Sequence, residues 1–193
     1  MMVAVMANTL RQAEDDALVQ KARTDAGALA ELYEKYYERV FRFCVHRLFH
    51  KELAEDVTST VFLEVARRIG TMRARNERDF RSWLYAIAAN QANAYIRKSS
   101  RRKRLLARAA RALAARPTEP EGSAELDWPR LYAAIARLKP EQQTILTLRF
   151  FEDLPHDEIA KILEMPQSTV RVTLHRTLNK LRKHLESSFE AEA

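Results

Sequence analysis

Cysteine is almost missing from this chain of 193 residues: Cys44 stands alone, which excludes an internal disulfide framework and a cysteine-rich zinc site. Glycine is nearly as scarce, at three residues. Runs of β-branched residues are nearly absent as well, so local preferences point to an all-α protein. No apolar run approaches the roughly 20 residues needed to cross a bilayer. The opening MMVAVMANTL is apolar but short and soon meets Glu14, Asp15 and Asp16, so neither a signal peptide nor a membrane span is expected. A soluble, cytoplasmic protein is the expectation. There is no P-loop, no glycine-rich phosphate cradle and no carboxylate pair beside a His or Cys nucleophile, so no enzyme is expected. Acidic residues are missing from 165 to 185, where Arg171, Arg176, Lys180, Arg182 and Lys183 occur.

What is present is positive charge. A formal net charge of +7 and a pI near 9.7 suit a nucleic-acid partner, although an acidic membrane surface would suit the composition equally. The length permits one large domain or two small ones.

The most informative stretch is DLPHDEIAKILEMPQSTVRVTLHRTLNKLRKHL, from 153 to 185. It predicts two helices, 157–163 and 168–185, around a break at Glu164, Met165, Pro166 and Gln167. Pro166 cannot continue the first helix, and Ser168 is placed to cap the second. At about 100° per residue, Val170, Leu174, Leu178, Leu181 and Leu185 share one arc and meet Ile159, Ile162 and Leu163. The opposite arc carries Ser168, Val172, His175, Arg176, Asn179 and Lys183, with Arg171 at its edge. A polar helix propped on another, presenting basic and amide groups outward, is the pattern of a helix-turn-helix that reads the major groove. An amphipathic hairpin with a solvated charged face is the bland alternative. One-signed charge argues against it, since a solvated face ordinarily mixes Glu with Lys.

Upstream, helical spacing runs from 16 to 49, through Leu18, Ala22, Leu29, Leu32, Tyr33, Tyr36, Val40, Phe43 and Leu48, with a break expected at Gly27. These aromatics read as core. His46 and His50 lie one turn apart near Cys44, but without further ligands they do not make a metal site. A second helix, 52–69, buries Leu53, Val57, Val61, Phe62 and Val65. Its Glu52, Glu55 and Asp56 suit a helix N-terminus and could equally dock a basic partner. A polar loop, 70–79, leads to a helix over 80–98 with Phe80, Trp83, Leu84, Ile87 and Tyr95 inward. Asn90, Asn93 and Arg97 form a separate stripe able to meet bases or phosphates. Trp83 and Tyr85 are candidates for base stacking, with Trp83 mainly turned to the core. From 97 to 116 nine residues are Lys or Arg and none is acidic. Pro117, Pro120, Gly122 and Ser123 then mark a linker, whose first part can extend the preceding helix. A second domain begins near Asp127, with Leu131, Ile135 and Leu138 inward and Pro140 in a first helical turn. Ile145, Leu146, Leu148, Phe150 and Phe151 are expected to complete its core.

These segments resemble the small extracytoplasmic-function (ECF) group of the sigma-70 family of bacterial RNA polymerase sigma factors. RLKPEQQTILTLRFFEDLPHDEIAKILEMPQSTVRVTLHRTLNKLRKHL is similar to region 4, which meets the −35 element. ELAEDVTSTVFLEVARR with RDFRSWLYAIAANQANAYIRKSSRRKR is similar to region 2. The resemblance implies two small helical domains, 16–98 and 127–186, joined by a flexible linker over 99–126, the second containing the helix-turn-helix. It implies that Glu52, Glu55 and Asp56 bind the clamp of the polymerase β′ subunit, and that region 4 meets the β flap. It places Asn76, in the loop that holds a flipped base, with Asn90, Asn93, Arg97, Lys98 and Arg101 at the −10 element. Ser168, Arg171, Val172, Thr173, His175, Arg176, Asn179 and Lys183 fall at −35 DNA. Core RNA polymerase, promoter DNA and an anti-sigma factor are the implied partners, with no cofactor and no membrane insertion.

Three departures stand out. Thr58, Ser59 and Thr60 replace a polar Gln-Glu pair after the acidic motif. Pro155 replaces the usual Ser or Thr cap, leaving Asp153 as a substitute. Val172 brings an apolar surface to the DNA face, suited to a thymine methyl. The competing reading is a stand-alone helix-turn-helix regulator, for which no dimerisation or sensing pattern is seen. No appended sensor is expected after Leu185. Promoter boxes about 17 base pairs apart lie roughly 60 Å apart at about 3.4 Å per pair. The connection over 99–126 reaches roughly 90 Å if fully extended.

Overall fold

The computed structural model describes residues 2–110 and 128–190, and the side chains of residues 9–99 and 131–186. Among the described residues there are helices and no strands. α1 (Met2–Lys21) and α2 (Ala26–Leu48) are followed by α3 (Lys51–Arg68), a 3₁₀ turn (Ile69–Thr71) and α4 (Glu77–Ala110). The second half holds α5 (Trp128–Ala136), α6 (Pro140–Phe150), α7 (His156–Ile162) and α8 (Gln167–Glu190). Among the described residues, no helix is long and apolar enough to cross a membrane.

The break expected at Gly27 lies earlier. Gly27 sits in the first turn of α2, and Asp25 ends the α1–α2 turn by accepting the Ala28 N–H at 2.7 Å, as an N-cap does. Helix α4 begins before Phe80 and runs past Lys98 to Ala110, so the first part of the basic run extends the helix. Residues 111–126 of the expected linker lie outside the described residues. Pro140 takes the first position of α6, as its missing N–H favours. Ser168, expected as a cap, lies inside α8, which opens at Gln167; the Pro166 carbonyl accepts the Thr169 and Val170 N–H groups instead. Asp153 does not cap α7 either. Pro155 holds that position without a side-chain bond, while Asp153 is drawn back to Arg149 at 3.0 Å.

Leu32, Tyr36, Val40 and Phe43 of α2 meet Val57, Val61 and Val65 of α3 and Phe80, Leu84 and Ile87 of α4, all buried. Ile145, Leu148, Leu154, Ile159, Val170 and Leu174 of the second half join the same continuous cluster. Ile135, Leu138 and Leu146 form a satellite with Leu131 and Leu181 packed on it. Three residues expected inside are outside: Tyr33 is 44% exposed, Leu178 39% and Phe150 57%. The satellite cluster covers α8 on the side of Leu181, and Thr177, not Leu178, is buried on that helix. Phe151, the neighbour of Phe150, turns inward and stacks on His46 with ring centroids 3.8 Å apart.

Candidate nucleic-acid interface

Val170 and Leu174 anchor α8 while its opposite face stays open. Ser168, Arg171, Val172, His175, Arg176, Asn179 and Lys183 are exposed, and Thr173 is half-buried. Asn179 lies one turn from His175, with Nδ2 and Nε2 3.1 Å apart, so the two side chains form one polar step beside Arg176. Val172 is 48% exposed, an apolar spot within that polar face. Arg182 pairs with Glu186 at 2.7 Å, beyond the stretch that lacks acids. The cations expected to meet DNA therefore present one sign of charge to solvent, which suits a phosphate backbone.

The second set of expected DNA residues is spread along α4 and the segment before it. Asn90, Arg97 and Lys98 are exposed, and the side chain of Arg101 lies outside those described. Asn93 is half-buried, and its Oδ1 accepts from Arg47 Nη2 at 2.7 Å. Asn76 Oδ1 accepts the Asp79 N–H at 2.8 Å. It thus caps α4, leaving its amide NH₂ as the group to donate elsewhere. Tyr85, a candidate for base stacking, is fully buried and donates its hydroxyl to Glu152. The wheel misplaced it because α4 is covered on two sides: the Tyr85 ring packs edge-on against Phe43 of α2, with centroids 5.6 Å apart, while its hydroxyl reaches Glu152 of the second half. Trp83 is half-buried beside Phe80.

Glu52, Glu55 and Asp56 are exposed on α3, and Glu52 pairs with His50 at 2.9 Å. Of the three residues in the departing stretch, Thr58 is buried and Ser59 and Thr60 are exposed. Near them Tyr33, Tyr37 and Phe62 form an aromatic cluster in which Tyr33 is 44% exposed. Burial raises the Tyr37 phenol above its usual range, and nearby Tyr33 and Glu55 add to the effect. Among the described residues no group of three His, Cys, Asp or Glu side chains is placed to hold a metal.

The contacts that sequence patterns missed lie between the two halves. Glu158, almost fully buried on α7, accepts from Arg78 Nε at 2.7 Å and from Arg81 Nη2 at 2.6 Å. Asp157 meets Arg78 Nη2 at 2.5 Å, and Lys161 approaches Asp79 at 3.7 Å. Glu152 is buried between Tyr85 and Arg39, whose Nε lies 3.8 Å away. Burial pushes its carboxyl above the usual carboxylate range, against the hydrogen bond from Tyr85 and the charges of Arg39 and Arg42. Arg47, only 1% exposed, spans the junction. It donates to Asn93 on one side and to Gln143 Oε1 on the other. Gln143 in turn donates to the Ile135 and Leu138 carbonyls at 2.9 and 3.1 Å. Burial pulls the Arg47 guanidinium down to about 10. These charges carry no apolar periodicity and look from sequence like solvated faces. Asp157 and Glu158 stand in the first turn of α7, where the helix dipole alone accounts for acids.

A helical unit with an acidic outer face is thus followed by a helix-turn-helix with a basic one. The matches agree: residues 32–102 match the family model of Sigma-70 region 2 and residues 129–181 that of Sigma-70 region 4. The chain belongs to the sigma-70 family, in its ECF group. It is 35% identical over 173 residues to the ECF RNA polymerase sigma factor BldN of Streptomyces coelicolor. That match covers 87% of this chain and spans 64% of the relative. It is 29% identical to the RNA polymerase sigma factor YlaC of Bacillus subtilis, across 86% of this chain and 96% of that one. In fold it is similar to CnrH, solved in complex with the cytosolic domain of CnrY, with a TM-score of 0.64 at 17% identity, covering 90% of this chain and 97% of that one.

Proposed function

We propose that this chain binds core RNA polymerase and directs initiation at promoters carrying −35 and −10 elements. The observation that supports this best is a pairing on one chain: an acid-free α8 face of exposed Arg171, His175, Arg176, Asn179 and Lys183, and an acidic α3 face of exposed Glu52, Glu55 and Asp56. The first suits −35 DNA and the second a basic polymerase surface on the β′ clamp, with region 4 meeting the β flap. In this reading 16–98 is the −10 and clamp-binding unit, 99–126 the connection and 127–186 the −35 unit. Asn76 and its loop hold a base flipped from the stack, Asn90 and Asn93 meet the −10 strand, and Arg97, Lys98 and Arg101 hold phosphate. DNA opening is driven by binding, without catalysis by the chain itself. An anti-sigma factor, such as those in the solved complexes of its structural relatives, is the regulatory partner that fits.

Boxes roughly 60 Å apart demand that the two packed halves separate. With 99–110 helical, the connection spans at most roughly 70 Å at about 1.5 Å per helical residue and 3.3 Å per extended one, which still bridges the gap. Run-off transcription with purified core polymerase, with and without the protein, tests the proposal. Specific transcripts only when both are present are expected. Tight, sequence-specific DNA binding by the protein alone with no stimulation would favour the stand-alone regulator, for which the open α8 face in the packed arrangement is the supporting observation.

A further inference from the structure

Helix α1 lies before the region 2 match, which begins at residue 32, and does more than add buried surface. Its inner face contributes Val19, packed at 0% exposure, beside Ala22 just past its end. Its polar edge meets residues 72–76, the segment between the 3₁₀ turn and α4. Gln20 Nε2 donates to the Ala74 carbonyl at 3.1 Å and to the Arg75 carbonyl at 2.9 Å. Asp16 Oδ1, one turn earlier, accepts the Glu77 N–H at 2.7 Å. Asp15 of the same helix meets Lys35 of α2 at 2.5 Å, fixing α1 on the bundle. Within the segment Met72 and Ala74 are buried while Arg73 and Arg75 are exposed. The backbone thus alternates, apolar side chains inward and guanidinium groups outward, and Gln20 of α1 holds two of its carbonyls.

Fixing two successive carbonyls and the next free N–H leaves the segment little freedom to shift along its length. The positions of Arg73, Arg75 and the Asn76 amide follow from that register. We infer that Gln20 and Asp16 are positioning residues that set this loop for base discrimination at the −10 element. The inference rests on the proposed reading of the loop as the −10 base holder. Neither side chain touches DNA in this account; both act through the backbone of residues 74–77.

The test uses holoenzyme assembled from core polymerase and the full chain, on a promoter selected from a randomised library. The readout is the binding ratio between that promoter and versions with single −10 substitutions, measured beside total affinity. Gln20→Ala and Asp16→Ala are expected to lower the ratio roughly fivefold to tenfold, the scale of one or two lost hydrogen bonds, with thermal unfolding little changed. Asp16→Asn keeps the acceptor and is expected to restore the ratio, which a purely electrostatic role for Asp16 would not allow. Amide exchange at residues 74–77 is expected to accelerate in the Ala variants, a readout that survives even where assembly weakens. Arg75→Ala serves as the loop control. If it collapses the ratio while Gln20→Ala and Asp16→Ala do not, the positioning role is wrong and the loop reading stands. If Arg75→Ala, Asn76→Ala and the α1 variants all leave the ratio intact, the loop reading and this inference fall together.

Discussion

The inside of the region 2 unit and its junction with region 4 differ in material, for the junction adds buried ion pairs to an apolar cluster that both halves share. In the first, Tyr36, Phe43, Phe80 and Leu84 interlock with no exposed surface. In the second, Arg78, Arg81, Arg39 and Arg47 meet Asp157, Glu158, Glu152 and Gln143. An apolar core has no good alternative to burial, because water rejects what it exposes. Ion pairs do have one, since each charge is well solvated when released, and burying them is nearly offset by desolvation. Glu152 Oε1 and Arg47 Nε are buried without a partner, a cost that separation would relieve. Polar contacts of this kind favour domains that come apart, as the proposed reading of two distant boxes requires, and the apolar surface the halves share opposes it.

Breaking the apolar side comes first in size. Phe80→Ala, at a position packed edge-on against Tyr36 with ring centroids 5.3 Å apart, is expected to cost about 3–5 kcal/mol. Denaturant melts should show the region 2 unit losing cooperativity. On the polar side, Glu158→Arg is expected to weaken the contact between the halves by about 3 kcal/mol. That is the low end for breaking a buried pair, because Arg78 is half exposed. Small-angle scattering should report expansion while the region 2 melt holds its position, and adding Arg81→Glu should recover part of the compact form. A fall in both melts together would erase the distinction between core and junction.

Arg176 lies on neither surface, so Arg176→Ala should leave both melts alone and lower promoter discrimination by about 1–3 kcal/mol if it reads a base. Uniform weakening on all sequences would make it a phosphate contact. The smallest effect concerns pH. Glu152 faces Tyr85 from α4 and Arg39 and Arg42 from α2, and its carboxyl is raised in the packed state. The packed state therefore binds that proton more readily than the separated one. Its contribution is complete below the ordinary carboxylate range and is lost as pH rises through the raised value. His46, lowered by burial and by Arg42, acts in the opposite sense. The difference between the wild type and Glu152→Gln in a scattering titration isolates the Glu152 contribution, and identical curves would remove it.

How far the sequence spoke follows the same divide. The all-α class, α3 and the helix-turn-helix were legible because apolar periodicity marks a buried face directly. Val170 and Leu174 landed inside as spaced, and Arg171, Arg176 and Asn179 outside. Tyr85, Arg47, Glu152 and Glu158 were not legible, because a charge buried against a charge leaves the same trace in sequence as a charge in water. The wheel of α4 assigns one inner arc, yet Tyr85, Ala88 and Ala92 are as buried as Phe80. The contact of α1 with the loop escaped for a related reason: its grip on residues 74–77 is made by Gln20 and Asp16, polar residues at an apparent surface. Leu178 was misjudged because the regular arc ignores how little of α8 the short α5 and α6 can cover.

The most direct measurement is the distance between the halves before and after promoter engagement. Cys44 is fully buried, so dyes attached through Thr60→Cys on α3 and Lys180→Cys on α8, both exposed, report separation by energy transfer. High transfer in the free protein and a clear drop on binding core polymerase with promoter DNA is the expected result. Unchanged high transfer in a complex that initiates transcription would contradict the account.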